Sequence, residues 1–318
     1  MIAAIDESGI FSLGKSEFSI FVSAVIPTDA KSHLKISNSY KNWENKLDIR
    51  FFNKKNEVKG SLLGDPELDS FVEQVISPYT DIRINCIGFN TSKIDPSILQ
   101  KHKAIEVAQL EYSVNDFEIN YAPKRQTNYI KSIKGWLNSK NPSEYLKILG
   151  LRNCISTTLT KSMIYFFGNL RENEIINASY EIDKDFISDQ NISWQGYFKM
   201  LLLEYTKKVP LPIINTWDLE SHPFFLKYPM LDNKKVNLSP LFKNNLSFKN
   251  SESSIYIRIS DICAIIIYRN LNHNKNENLF RFLQTRALTN DGLCEILMLR
   301  DFDFQLKFDD FIKNLSKC

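Results

Sequence analysis

Hydrophobic positions along the chain switch between a spacing of two and a spacing near 3.6, and the switches mark out an α/β protein. Residues 1–9, Met-Ile-Ala-Ala-Ile-Asp-Glu-Ser-Gly, are a short apolar run ending in two carboxylates and a turn. A run of that length reads as a buried strand. Residues 16–26 are rich in β-branched and aromatic side chains, end at Pro27 and predict a second strand. The link between them is short and carries Gly9 and Gly14, so the two strands are expected to be antiparallel neighbours. A helix follows over 29–46 with Asp29 as its cap, then an irregular basic stretch over 50–60. Asp65-Pro66 opens a helix to about Ile76, and residues 81–89 alternate as a third strand.

From Asp95 to Phe167 the period is helical. Asp95-Pro96 starts one helix, residues 142–168 form a longer one, and the lysine-bearing segment 115–140 lies between them. Residues 173–183 predict a fourth strand that again ends in an acid, Asp183. A helix over 196–204, a short fifth strand over 212–216 and an Asn/Lys/Ser-rich loop over 229–253 come next. Residues 256–269 read as a strand end running into an apolar helix, with Asp261 in its first turn. There is no internal repeat and no Pro/Gly-rich linker. The expectation is a single domain over 1–318, with a helical insertion at about 95–168 and a helical tail at about 276–318.

Composition narrows the function classes. Forty Lys and Arg against 37 Asp and Glu leave a charge of +3, which permits a polyanionic partner without requiring one. The longest apolar stretches fall far short of the roughly 20 residues of a membrane span. The opening lacks the basic region of a signal peptide. Five dispersed cysteines, with no Cys-x-x-Cys pair, read as reduced thiols in a cytoplasm and argue against zinc. No glycine-rich phosphate loop and no Gly-x-Ser-x-Gly elbow is present. None of the four histidines has a nucleophile motif beside it; His222 lies nearest the strand ends.

Candidate chemistry rests on acids. Asp6 ends the first strand, Asp183 the fourth, and Asp261 precedes an apolar helix. Parallel adjacency of the first and fourth strands would bring Asp6 and Asp183 to one sheet edge, where ligands of open α/β sheets bind. The late helix could then carry Asp261 across that edge. Converging carboxylates repel one another, and divalent cations relieve the repulsion. Oxygen-only donors favour Mg²⁺ or Mn²⁺, which in pairs catalyse phosphodiester hydrolysis. Other readings stand beside this one: a turn start at Asp183 in Asp-Lys-Asp, and a first-turn acid favoured by the helix dipole at Asp261. Alternation sends Glu7 to the face opposite Asp6. Three basic segments with interleaved aromatics (Phe51, Phe52, Tyr129, Trp136, Phe248) could cradle a nucleic-acid backbone: 50–59, 123–140 and 243–249.

Ile5-Asp6-Glu7-Ser8-Gly9, Glu57-Val58-Lys59-Gly60 and Ile259-Ser260-Asp261-Ile262-Cys263-Ala264 together resemble the family called domain of unknown function 3800. The late motif departs from the family's usual Leu-Gln-x-Ala-Asp-Leu pattern. The resemblance implies a ribonuclease H-like fold, here a mixed five-stranded sheet flanked by helices with the helical insertion between strands 3 and 4. It implies a metal-dependent nuclease in a bacterial anti-phage setting, with nucleic acid as partner and a protein partner in a defence complex. Asp6, Asp183 and Asp261 would be metal ligands; Glu57 would be a lesser ligand and Lys59 would meet a phosphate or leaving oxygen. Glu106 rivals Glu57 as the second carboxylate. The alternative is a non-catalytic nucleic-acid-binding or protein-interaction subunit on the same fold.

Overall fold

The computed structural model describes residues 1–15, 17–120, 124–169, 171–184, 194–208, 223–228, 230–231, 235–236, 239–290, 292–297 and 299. The first half of the chain forms β1 (Ile2–Ser8), β2 (Phe18–Ile26), α1 (Ala30–Glu44), α2 (Asp65–Phe71), β3 (Arg83–Asn90), α3 (Pro96–Asn120), α4 (Lys124–Ser139) and α5 (Pro142–Gly168). Then come α6 (Glu172–Ile176), β4 (Ser179–Asp183), α7 (Trp194–Lys208), α8 (Pro223–Lys227), β5 (Met230–Leu231) and β6 (Lys235–Val236). The chain continues through α9 (Ser239–Asn245), β7 (Leu246–Lys249), α10 (Ile255–His273), α11 (Glu277–Gln284) and β8 (Cys294–Ile296).

A mixed six-stranded sheet runs in the order β7-β4-β1-β2-β3-β8, flanked by helices. β1 pairs antiparallel with β2 and β2 antiparallel with β3, while β1/β4, β4/β7 and β3/β8 are parallel. Both faces are covered, and strand alternation divides the core in two. Ala3, Ile5, Phe21, Ile87, Phe89, Tyr180 and Ile182 point to a layer containing α5. Ala4, Ile20, Val22, Ala24, Ile84 and Cys86 point to the layer of α1, α2 and α10. Burial on both faces explains why β2 reads as a nearly continuous apolar run.

The turn after β1 depends on one residue. Gly9 has φ +105°, and a Cβ there would lie 2.9 Å from the Phe18 carbonyl oxygen. Only glycine fits this conformation and approach, so the chain can reverse directly after its acidic strand end.

Several sequence expectations need correction. The main sheet has six strands rather than five, because β7 lies inside the supposed loop 229–253 and β8 inside the supposed helical tail. β7 is an edge strand, half-polar in sequence, which hides its period. Of residues 173–183, only 179–183 are strand; 172–176 form α6, whose Glu174 pairs with the amino terminus at 2.8 Å. Residues 256–269 are helical throughout, because Ser254 caps α10 by accepting from the Ile257 amide. The expected fifth strand at 212–216 and the end of the tail, 300–318, lie outside the described residues. No helix among the described residues is long and apolar enough to cross a membrane.

Candidate functional site

Asp6 and Asp183 meet because of strand register. β1 and β4 pair in parallel from Ile2↔Ser179 to Ile5↔Ile182, so the two aspartates stand side by side one residue further on. Neighbouring strands lie about 4.8 Å apart. Both side chains share parity with Ala4 and therefore face α10. Ser260 on that helix donates to the Val22 carbonyl at 2.8 Å, and Val22 is the β2 partner of Asp6. The helix is thus pinned at the level of Asp6, and Asp261 is the next residue. Its Oδ2 accepts from the Gly60 amide at 2.9 Å. A Cβ on Gly60 would lie 2.8 Å from Ile265 Cγ1 and 3.2 Å from the Asp261 carbonyl oxygen, so a glycine is what lets this loop reach the helix.

Asp261 is not in the first turn as expected. α10 begins at Ile255, placing Asp261 in its second turn, beyond the reach of a helix-dipole explanation.

The loop before Gly60 supplies a further acid and a cation. Phe52 and Val58 form an antiparallel bridge that turns the chain back on itself. Glu57 is 2 % exposed and accepts from Asn53 Nδ2 at 3.1 Å. Lys59 Nζ lies 3.2 Å from Glu57 Oε1 and 3.5 Å from Ser251 Oγ.

Electrostatics unite these groups. Burial pushes the Asp6 carboxyl well above the usual range, and Asp261, Glu7 and Asp183 push it further. One opposing influence is the Glu7 amide, which donates to Asp6 Oδ1 at 2.8 Å. Asp261 is also raised, by burial first and then by Glu57 and Asp183, against the Gly60 amide and Lys59. Burial lowers the Lys59 ammonium, but Asp261, Glu57 and Asp6 outweigh it and leave a net rise. The site therefore concentrates negative charge in a dry place, which is costly unless cations or protons meet it.

Other carboxylates are placed differently. Glu7 points to the opposite face, where Lys147 of α5 pairs with it at 3.2 Å. Glu106 lies in the α5-side layer, ion-paired with the buried Arg152 and hydrogen-bonded to Tyr145. Burial would raise its carboxyl, yet Arg152 and His102 hold it below the usual range. It stands away from the Asp6 face and is neutralised there. A residue that sequence reasoning missed is Glu181, two before Asp183 on the same face. It accepts from Lys249 Nζ and Ser254 Oγ, both at 2.5 Å, and so ties β4 to β7 and to the cap of α10. The alternation Tyr-Glu-Ile-Asp, apolar against acidic, was the available signal.

The basic segments contribute unevenly. Arg50, Lys54 and Lys55 are exposed on the loop that carries Glu57 and Lys59. Phe51 and Trp136 are core residues, which removes them as base-stacking platforms. Lys249 is engaged with Glu181. The side chain of Tyr129 and all of His222 lie outside the described residues.

As a metal site the cluster is incomplete in arrangement but suitable in chemistry. Among the described residues, no three His, Cys, Asp or Glu side chains are arranged to hold a metal ion. The donors offered are all carboxylate oxygens, buried and mutually repelling, the type that hard divalent cations bind. Asp6, Asp183, Asp261 and Glu57 are the residues that would hold such an ion. Compared with protein-family models, with curated proteins and with solved structures, the chain matches none significantly.

Proposed function

We propose that this chain is a divalent-metal-dependent nuclease on a ribonuclease H-like fold, of the domain of unknown function 3800 type. One observation carries the reading: Asp6, Asp183 and Asp261, from three separate elements, share one sheet end and raise the charging cost of Asp6. Bound Mg²⁺ or Mn²⁺ would supply water activation and neutralise phosphate charge. Asp6, Asp183 and Asp261 would be its principal ligands, with Glu57 a lesser one. Lys59, partly exposed and ion-paired with Glu57, would meet a phosphate oxygen. Arg50, Lys54 and Lys55 would attract the nucleic-acid backbone. Work in bacterial anti-phage defence, alongside a protein partner, belongs to the same proposal and rests on the family resemblance.

The test is cleavage of mixed DNA and RNA substrates with Mg²⁺ or Mn²⁺, comparing the native protein with Asp6→Asn. Metal-dependent cleavage lost in the variant is the expected result. Equal cleavage by both removes Asp6 from the mechanism. The exposed Arg50, Lys54 and Lys55 favour a second reading, a non-catalytic nucleic-acid-binding module. That reading requires salt-sensitive binding that survives both Asp6→Ala and Asp261→Ala, with no cleavage by the native protein.

A further inference from the structure

Away from the acidic site, two of the thiols lie together. Cys86 on β3 and Cys294 on β8 are direct partners in a parallel register, and their sulfurs are 2.9 Å apart. Neither is in a disulfide. Paired residues on adjacent strands fall within the Cα separation that a disulfide spans. The register holds both side chains on one face, so a bond between them needs no rearrangement of the strands. Their exposure differs: Cys86 is fully buried, whereas Cys294 is partly open on the edge strand. The Cys86 thiol donates to the Cys294 sulfur. Burial raises the Cys86 thiol well above its ordinary value, while Cys294 is the sulfur that solvent can reach. One sulfur is thus placed to react first and the other to resolve the product. Cys154 and Cys263, both buried, have no such pairing: Cys154 contacts Thr158, and Cys263 lies in the α10 core.

We propose that Cys86 and Cys294 form a reversible, peroxide-driven cross-strand disulfide that clamps edge strand β8 to β3. In the first step the Cys294 thiolate attacks the O–O bond of a hydroperoxide. The sulfur is oxidised to sulfenic acid, and the peroxide is reduced to an alcohol or water, which takes up the proton. The Cys86 thiol then attacks the sulfenic sulfur; the S–S bond forms, the S–O bond breaks, and the hydroxyl leaves as water with the Cys86 proton. The sum is two thiols and one hydroperoxide giving one disulfide, one alcohol and one water.

The clamp would act on residues 286–290 and 292–297, which are held to β3 by bonds that include Ile84 N to Arg286 O (2.9 Å), Cys86 N to Leu293 O (3.0 Å) and Leu297 N to Gly88 O (2.8 Å). β8 is a three-residue edge strand that pairs on one side only, and local opening of a sheet starts from such elements. A covalent link would suppress that opening.

The experiment treats the folded protein with a small excess of hydrogen peroxide, blocks remaining thiols with iodoacetamide and maps tryptic peptides by mass spectrometry. A Cys318→Ser background removes the one cysteine outside the described residues. The expected product is a single crosslink joining the peptides that carry Cys86 and Cys294, reversed by dithiothreitol, with Cys154 and Cys263 unoxidised. In Cys86→Ala the sulfenic acid should persist at Cys294 and be trapped by dimedone. In Cys294→Ser, Cys86 should remain a thiol. Accumulation of sulfinic acid at Cys294 in the background protein overturns the proposal, as does full alkylation of both cysteines after peroxide. Amide exchange across 293–297 supplies a second readout, expected to slow in the oxidised form; unchanged exchange overturns the clamp.

Discussion

At the scale of single residues, the charge at Asp6 should oppose stability. Its carboxyl is raised by burial and by three neighbouring acids, so ionising it costs more in the folded state than in the unfolded chain. Asp6→Asn keeps the shape and removes the charge. The expected outcome is a protein more stable by about 1 kcal/mol and devoid of metal-dependent cleavage, read by urea denaturation and by nuclease assay. A destabilised Asp6→Asn would mean that Asp6 earns its place through hydrogen bonding, not metal binding. Arg152 presents the opposite case. It neutralises the buried Glu106, so Arg152→Ala strands a carboxylate in the α5-side layer. A loss of about 3–5 kcal/mol is expected. Because that pair sits on the other side of the sheet, any cleavage activity should persist in protein that remains folded.

At the scale of elements, the legible parts of the fold were those whose period is unmixed. β1, β2 and β3 are short apolar runs closed by turns, and the long helix α5 starts at an Asn-Pro cap. The acids Asp6 and Asp183 were legible because each follows an apolar strand run; Asp183 closes β4, whereas β1 continues two residues past Asp6 to Ser8. What was illegible depended on partners distant in sequence. β7 and β8 are strands only because β4 and β3 offer them an edge, and Glu181 matters only because Lys249 and Ser254 meet it. The start of α10 was misplaced because Ser254, its cap, follows a polar stretch that looks like loop. Packing can also reverse a local rule. Gly150 lies inside α5, where alanine would ordinarily stabilise a helix by about 1 kcal/mol. Here a Cβ would stand 2.6 Å from Phe21 Cδ2 and 2.7 Å from Phe89 Cε2, against the sheet. Gly150→Ala should therefore destabilise the protein by about 1–3 kcal/mol, measured by chemical denaturation. A gain in stability would show that α5 does not press on β2 and β3 as closely as this.

At the scale of the whole molecule, two sets of carboxylates should shape stability against pH in opposite directions. Asp6, Glu7 and Asp261 are raised by burial first and then by neighbouring acids, Asp183 among them in each case. In the unfolded chain they ionise near pH 4, whereas in the folded protein they hold their protons to higher pH. Stability should therefore fall as pH climbs from about 4 through their folded values. Glu106 and Glu174 are the reverse: despite burial, Arg152 lowers the first and the terminal amine the second. Their contribution is complete above the ordinary glutamate range and is lost as pH drops through their depressed folded values. The expected profile has an acid limb set by the Glu106 and Glu174 pairs and a shallow decline toward neutrality set by the Asp6 cluster. Thermal unfolding followed between pH 3 and 8 separates the two. Asp6→Asn should flatten the decline toward neutrality and leave the acid limb in place. Mg²⁺ or Mn²⁺, binding the ionised carboxylates of the folded state alone, should restore stability at pH 7 in the native protein, by about 2.7 kcal/mol at a hundredfold excess over the dissociation constant. The same addition should do far less for Asp6→Asn. Identical responses to metal in the two proteins would place the ion elsewhere and leave the Asp6 cluster without its proposed occupant.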